Sequence, residues 1–500
     1  EGVILAPHAD VRGVYGTAKM PIIGQSFYGS MALLGGEFDG KLPNPYTQNC
    51  EQINISEKWQ WNDSIFQPTY NQVISSPIVV QLNDDNNDGY INNGDVADVV
   101  VTTFDLEQWK SPGLVRALSG IDGSELWLNS SKIDSTPSIY TDAKYSISAA
   151  DIDKDGLIEI VVYNPLSKSI EVYGNDGLFK KSLNISSVSA SHLNITDSNN
   201  DGDAELVIAN RVINLVTGQE VELIKPLDYI SNTFNFDLRD SITFDSNLNG
   251  QQEILTNGIL YNNDGFPIFN KNTTQGFSAI ADFDGDNYPE IILTDLDGSI
   301  KLLDYLGNIK WEYKSQDSGA GVPSVSDVDG DGVPDIIIAG SKKLKALDSN
   351  GQLISSLNID DLSSQRNGVS SYDFNGDGKS EILYNDENSF YIVDMSNGTV
   401  IFESSQTSGT LWEYPIVADL TGDKGAEVIT VMNSLGVVDG AVGRNGVAVY
   451  KSSICDKAEP TRIWNQHSFS GTNVNQDGTI PLELKKSWVE TNTFRSANLK

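Results

Sequence analysis

A short phrase of acids and glycine, clearest at residues 327–340 as D-V-D-G-D-G-V-P-D-I-I-I-A-G, limits what this chain can fold into. Asp327, Asp329 and Asp331 hold its first, third and fifth positions, Gly332 the sixth and Asp335 the ninth. Alternate residues of a tight loop face the same way, so three short carboxylates converge. Glycine lets the backbone turn through positive φ without a Cβ clash. The Val333 carbonyl and the Asp335 carboxylate then complete a cage of oxygens. Hard, largely anionic oxygen ligands on a flexible loop suit Ca²⁺, whereas Mg²⁺ asks for a stricter octahedron. The apolar run 336–338 reads as a buried strand.

The phrase recurs in register. The second copy holds Asp151, Asp153, Asp155, the Leu157 carbonyl and Glu159, and the third Asp197, Asn199, Asp201, the Asp203 carbonyl and Glu205. The fourth holds Asp245, Asn247, Asn249, the Gln251 carbonyl and Glu253. The fifth holds Asp282, Asp284, Asp286, the Tyr288 carbonyl and Glu290, with Asn287, which also tolerates left-handed φ, in the glycine position. After the Asp327 copy come Asp373, Asn375, Asp377, the Lys379 carbonyl and Glu381. A looser eighth copy holds Asp419, Thr421, Asp423, the Gly425 carbonyl and Glu427. The first copy is longer, with Asp84, Asn86, Asp88, the Tyr90 carbonyl, Asn92 and, at position twelve, Asp95. That spacing is nearer to an EF-hand loop, and Asp98 begins the strand behind it. One such phrase is weak evidence; eight in register are not.

First ligands are separated by 67, 46, 48, 37, 45, 46 and 46 residues. A period of about 45 matches one four-stranded propeller blade. In the fifth unit the strands read F-S-A-I-A-D, E-I-I-L-T-D, S-I-K-L-L-D and I-K-W-E-Y, the last two joined by a glycine turn. The metal loop therefore joins a blade's first strand to its second. The predicted fold is all-β, an eight-bladed β-propeller of four-stranded antiparallel blades. The alternative is seven blades plus an irregular first unit, because the first interval carries about 20 surplus residues.

Charge and cysteines set the surroundings. The formal charge is −36, yet 26 of the 69 acids are loop ligands, and the other 43 exceed the 33 bases by only 10. The acidity is thus mainly metal-site chemistry, and nucleic acid is an unsuitable partner. Cys50 precedes the repeats and Cys455 follows them. If the array closes, a disulfide between them would clamp its seam; two unrelated thiols are the other reading. No apolar run is long enough to span a membrane. The chain starts at Glu1 without a leader, so a signal peptide is either removed or not included. Calcium loading and a lasting disulfide both point to an extracellular, secreted or surface setting.

Three regions follow: an arm of unassigned fold at 1–55, the propeller at 56–457 and a closing or linker segment at 458–500. In the last, T-R-I-W-N-Q-H-S-F reads as a further strand, and Asn473, Asn475 and Asp477 form a degenerate ninth copy without the usual closing acid.

The repeated D-x-D-x-D-G-x-x-D/E followed by an apolar strand resembles the FG-GAP/VCBS family, over residues 75 to 450. The F-G and G-A-P signatures are mostly absent, so kinship to integrin propellers proper is not implied. The W-N-Q-H…N-V-N-x-D-G tail looks like the segment that ends such propellers in large bacterial surface proteins. The resemblance implies up to eight Ca²⁺ ions in the inter-strand loops. It also implies membership among adhesins, glycan binders, matrix proteins or calcium-containing rhamnogalacturonan lyases. Fold alone does not choose between these.

Nearly complete oxygen cages leave no open position for substrate, which makes the metals structural. His8, His192 and His467 lack a partner motif, and no nucleophile elbow, zinc-protease or phosphate-loop phrase occurs. A lyase could draw its base from Lys110, Arg116, Arg239, Arg366 or Arg444, but nothing gathers them. Trp127 and Trp311 fall at matching places in fourth strands and read as packing; Trp109 and Trp412 fall outside that pattern and are the candidates for a binding face. Binding is preferred to catalysis. The expected function is an adhesion or glycan- or protein-binding module of a larger surface protein, with a polysaccharide lyase or a purely structural assembly subunit as alternatives.

Overall fold

Short β-branched runs after each acidic loop can bury both faces only between neighbouring sheets, and that is the arrangement adopted. In the fifth blade the strands are Phe277–Ala281, Glu290–Thr294, Ser299–Leu303 and Ile309–Lys314, paired in that order and antiparallel. The first two are buried throughout, while the last alternates between half-buried and exposed along most of its length, as an outer strand over a core must. The computed structural model describes residues 53–498 apart from 65, 108–111, 130–140, 187, 189–191, 225–239, 272–275, 316, 318, 362–365, 436–442, 454–457 and 483–484. Of residues 1–52 it describes the backbone of two strands. The chain divides into two units, Glu1–Cys50 and Glu51–Lys500. In the first unit, Ile4–Ala18 pairs in parallel with Ile22–Leu33.

The second unit is an eight-bladed ring. The first interval's surplus belongs to a full blade, whose strand Asp98–Asp105 pairs with Tyr70–Val73 and Ile78–Val80 on one side and Gly113–Leu118 on the other. The seven-blade alternative is therefore excluded. The eighth blade takes Ile416–Ala418, Glu427–Met432 and Gly446–Ser452 from the end of the repeats, and its outer strand, Ile55–Trp61, from their beginning. This ladder of backbone hydrogen bonds closes the ring. Just past it, Ser453 N–H donates to the Asn54 carbonyl at 3.0 Å. Cys50 and Cys455 lie outside the described residues.

Neighbouring blades are also latched at their outer edges. Trp127 donates its indole N–H to the Asn175 carbonyl of the next blade at 2.8 Å, and Trp311 does the same to Ser349 at 2.8 Å. Each ring lies over the turn glycine beside that carbonyl, Gly177 or Gly351, where a Cβ would come within 3.0 Å of the ring. Trp59 repeats the device across the seam, on Gly120 and Gly123. Trp412 is only 2 % exposed. It is core, not the binding-face residue its sequence position suggested, because it sits where the chain enters the innermost strand of the eighth blade. Trp109 lies outside the described residues.

Among its described residues the segment after the repeats adds no strand to a blade; single bridges replace the strand expected at T-R-I-W-N-Q-H-S-F. It runs over the inner strands and bonds to every blade. Trp464 and Val79 exchange backbone hydrogen bonds, Ala149 donates to Asn465, and the Gln466 side chain accepts from Ile195. Ser468 donates to Asp240, Arg495 to the Ser278 carbonyl, and Phe494 exchanges bonds with Val325. Ser371 donates to Arg495, and Asp419 donates to Thr461. Asn475, Asp477 and Thr479 close a turn on one another.

Candidate metal centres

The acidic loops all join the first strand of a blade to its second, so they share one rim. Their backbone follows one wiring plan. In the second copy the Asp151 carboxylate accepts from Gly156 N–H and the Asp155 carboxylate from Leu157 N–H. Glu159, at the head of the next strand, accepts from Ile152 N–H at 2.9 Å. The same tie from position nine to position two recurs at Glu205, Glu253, Glu290, Asp335, Glu381 and Glu427, at 2.8–3.0 Å. One oxygen of each closing acid is thus spent on the backbone; the other faces side-chain donors where they reach it, as Glu205 Oε1 accepts from Asn214 at 2.9 Å. The sixth residue has positive φ throughout, for example +86° at Gly156 and +67° at Asn287.

The wiring gathers acids. Ligand oxygens of Asp151, Asp153 and Glu159 lie within 4.8 Å of one another, as do those of Asp282, Asp284 and Glu290, and of Asp327, Asp329 and Asp335. The Asp151 Oδ1 atom is buried without a hydrogen-bond partner, as expected of an atom shaped for a cation. Burial raises the closing acids' pKa values. Burial, with Asp329, Asp327 and Asp331 adding their charge, pushes the Asp335 carboxyl up to about 7. Burial likewise takes Glu205 to about 7 and Glu381 to about 8. A hard divalent ion would relieve this repulsion, and an all-oxygen donor set fits Ca²⁺.

Three loops already carry an ammonium. Lys180 Nζ lies 2.5 Å from Glu159 Oε1 and 3.3 Å from Asp153 Oδ2. Lys310 Nζ lies 2.7 Å from Glu290 Oε1 and 2.6 Å from Asp284 Oδ2. In the eighth blade Lys58 reaches Glu427 at 3.2 Å, and Lys451 reaches Asp423 at 2.5 Å.

The first loop is wired separately. Asp84 accepts from Asp88 and Gly89 N–H, Asn86 from Asp88, and Asp95 from Asn86 and Asn92, so the EF-hand-like residues face one another. Sequence spacing missed a second feature here. Asp98, fully buried at the head of the second strand, accepts from Leu82 N–H at 3.2 Å and so performs the tie made elsewhere by the closing acid. Its place before the run V-V-V-T-T was the available signal.

The other sequence candidates scatter. Arg116 is buried in an ion pair with Glu125 at 2.9 Å, which removes it as a general base. Arg444 donates to the Ser405 carbonyl on the surface, and Lys110 and Arg239 lie outside the described residues. His467 does have a companion: its ring stacks on His192 with centroids 3.4 Å apart, both buried. Asp240 lies 3.7 Å from His467 Nδ1 and 2.5 Å from Arg495 Nη2. Burial alone would raise the Asp240 carboxyl, but Arg495 and His467 hold it far below the carboxylate range. Burial lowers His467 to about 4 and takes His192 well below its usual value. This cluster joins the closing segment to the ring. Among the described residues no helix is long and apolar enough to cross a membrane.

Comparisons with known proteins agree with this architecture. Residues 282–338, which span the fifth and sixth metal loops and the strands between them, match the FG-GAP-like repeat family. No curated protein sequence matches the chain. Among solved structures, the V. cholerae biofilm matrix protein Bap1 superposes with a TM-score of 0.80 at 28 % identity, covering 90 % of this chain and 100 % of that one. The rhamnogalacturonan lyase YesW superposes at 0.50 with 15 % identity over 85 % of this chain and 77 % of that one. The Bacillus licheniformis rhamnogalacturonan lyase PL11 does so at 0.51 with 14 % identity, covering 77 % and 72 %. Those two likenesses show a shared fold and nothing of chemistry. The chain is an eight-bladed propeller that carries an FG-GAP-like repeat at residues 282–338 and is similar over nine-tenths of its length to a V. cholerae biofilm matrix protein.

Proposed function

We propose that this chain is an extracellular, calcium-stabilised propeller that acts as an adhesion or assembly module of a matrix or surface protein, with a glycan or protein ligand. The observation that carries the reading is the likeness to Bap1, which extends through all of that chain at 28 % identity. The eight acidic loops support the calcium part, with the ligands being the side chains at positions one, three, five and nine and the carbonyl at seven. For the first loop they are Asp84, Asn86, Asp88, the Tyr90 carbonyl, Asn92 and Asp95. In this reading the ions are structural, since the acids wire each loop to its own blade. Cys50 and Cys455 are, in this reading, paired as a disulfide. Thiol counting on the unfolded, unreduced chain should find no free sulfhydryl; two would refute the pairing.

Binding of the calcium-loaded protein to bacterial exopolysaccharide and to matrix-coated surfaces tests the adhesion reading. Saturable retention that chelator abolishes is the expected result, and no saturable ligand would leave a purely structural subunit. Release of unsaturated, ultraviolet-absorbing products from acidic polysaccharides would instead establish a lyase.

A further inference from the structure

The outer hairpins hold a device that the loop motif does not explain. In seven blades the outermost strand carries one unpaired residue, a β-bulge, a few residues after its turn or chain entry. The ladder skips Lys180 between the pairs Val172–Lys181 and Tyr173–Phe179, and Lys310 between Leu302–Trp311 and Leu303–Ile309. It skips Lys58 between the pairs made by Glu57 and Trp59. Elsewhere the skipped residue is Leu126, Ile268, Ile354 or Ile401. A bulge re-aims the side chain of its extra residue. In all three lysine blades that side chain reaches the free oxygen of the closing glutamate: Glu159, Glu290 and Glu427.

We infer that the bulge lysines are built-in counter-cations that divide the metal loops into two classes: loops that must expel an ammonium before closing on a cation, and loops that need not. The ammonium and a divalent ion compete for the same carboxylate oxygens and repel each other. At about 5 Å across a water-like dielectric that repulsion alone corresponds to about a tenfold loss of affinity. Blades two and five are the clearest cases, because the eighth has a second ammonium, Lys451, beside Asp423. With metal removed, the same lysines neutralise carboxylates that would otherwise repel. They therefore stabilise the metal-free ring and weaken the loaded one. The division rests on the calcium reading above.

The test is calorimetric titration of Ca²⁺ into the chelator-stripped full chain, as wild type and as Lys180→Met/Lys310→Met. The expected variant isotherm has two sites about tenfold tighter. Its melting temperature should fall below wild type in chelator and equal or exceed it in saturating Ca²⁺. Ile354→Lys, which places an ammonium at the bulge of the sixth blade, should weaken one site by a similar factor. If calcium binds but the isotherms coincide, or the double variant melts lower in both conditions, the lysines are ordinary surface ion pairs and the inference fails while the calcium reading stands. If wild type binds no calcium at all, both fall.

Discussion

Trp311 and Gly351 depend on each other. The glycine has φ of +75°, which L side chains rarely adopt, and the indole lies where its Cβ would be. Gly351→Ala therefore meets both backbone strain and a ring that cannot withdraw without breaking its bond to Ser349. Trp311→Ala should cost about 2–3 kcal/mol, somewhat under the range for a fully buried tryptophan because the ring is only half-buried. In the double variant the steric part of the glycine cost disappears, so denaturant titrations should show the two losses adding to less than their sum; strict additivity would mean the contact is incidental. Asp335 makes a different point. Its folded-state pKa, about 7, stands above its unfolded value, so without metal its charged form is a cost that Asp335→Asn removes. At pH 8 that variant should melt higher than wild type in chelator and lower in excess Ca²⁺, read by thermal denaturation in the two buffers.

Elements that repeat were legible in the sequence, and elements that act once were not. Each loop declares itself by acids at fixed spacing, and each blade by apolar runs of strand length, because both depend on neighbours a few residues away. Nothing local pairs the closing strand Ile55–Trp61 with its partner, Gly446–Ser452, which lies almost 400 residues on. The outer tryptophans could be assigned to packing, but not to a particular glycine of the next blade. The final segment was hardest, because its order comes from eight separate contacts with as many blades, and nothing local marks them. Its anchor is Arg495, fully buried, which bonds to Asp240 and to the Ser278 and Pro323 carbonyls. Removing one member of a buried pair strands the other, at about 3–5 kcal/mol. Arg495→Leu should thus destabilise severely, and Arg495→Leu/Asp240→Asn should recover part of the loss, because no uncompensated charge remains. Equal stability of the single and double variants in urea unfolding would show that the segment is held by its backbone bonds alone.

At the scale of the whole ring, eight loops filled as proposed would couple stability to calcium, and two opposed sets of protons shape its response to pH. At roughly tenfold saturation each loop would add about 1.4 kcal/mol, so eight would add about 11 kcal/mol, as much as an ordinary domain possesses. The closing acids Glu205, Asp335 and Glu381 have raised folded-state pKa values of about 7, 7 and 8. In chelator their contribution is fully present below the unfolded carboxylate range and is lost as pH rises through 7 to 8. The buried histidines work the other way. His467 is lowered to about 4 and His192 lies well below its ordinary value, so the unfolded chain takes up protons first and stability is lost as pH falls below about 6.5. Without metal the two slopes oppose each other below about pH 6.5, and above it only the alkaline fall remains, so the melting temperature should drop most steeply between about pH 6.5 and 8. Calcium holds the closing acids ionised and abolishes the alkaline fall, so the loaded ring should become steadily more stable from pH 5 to 7 and then level off. Scanning calorimetry across pH 5–9, with calcium and with chelator, separates the two profiles. Coincident curves would mean that the acids of this rim titrate free of any ion.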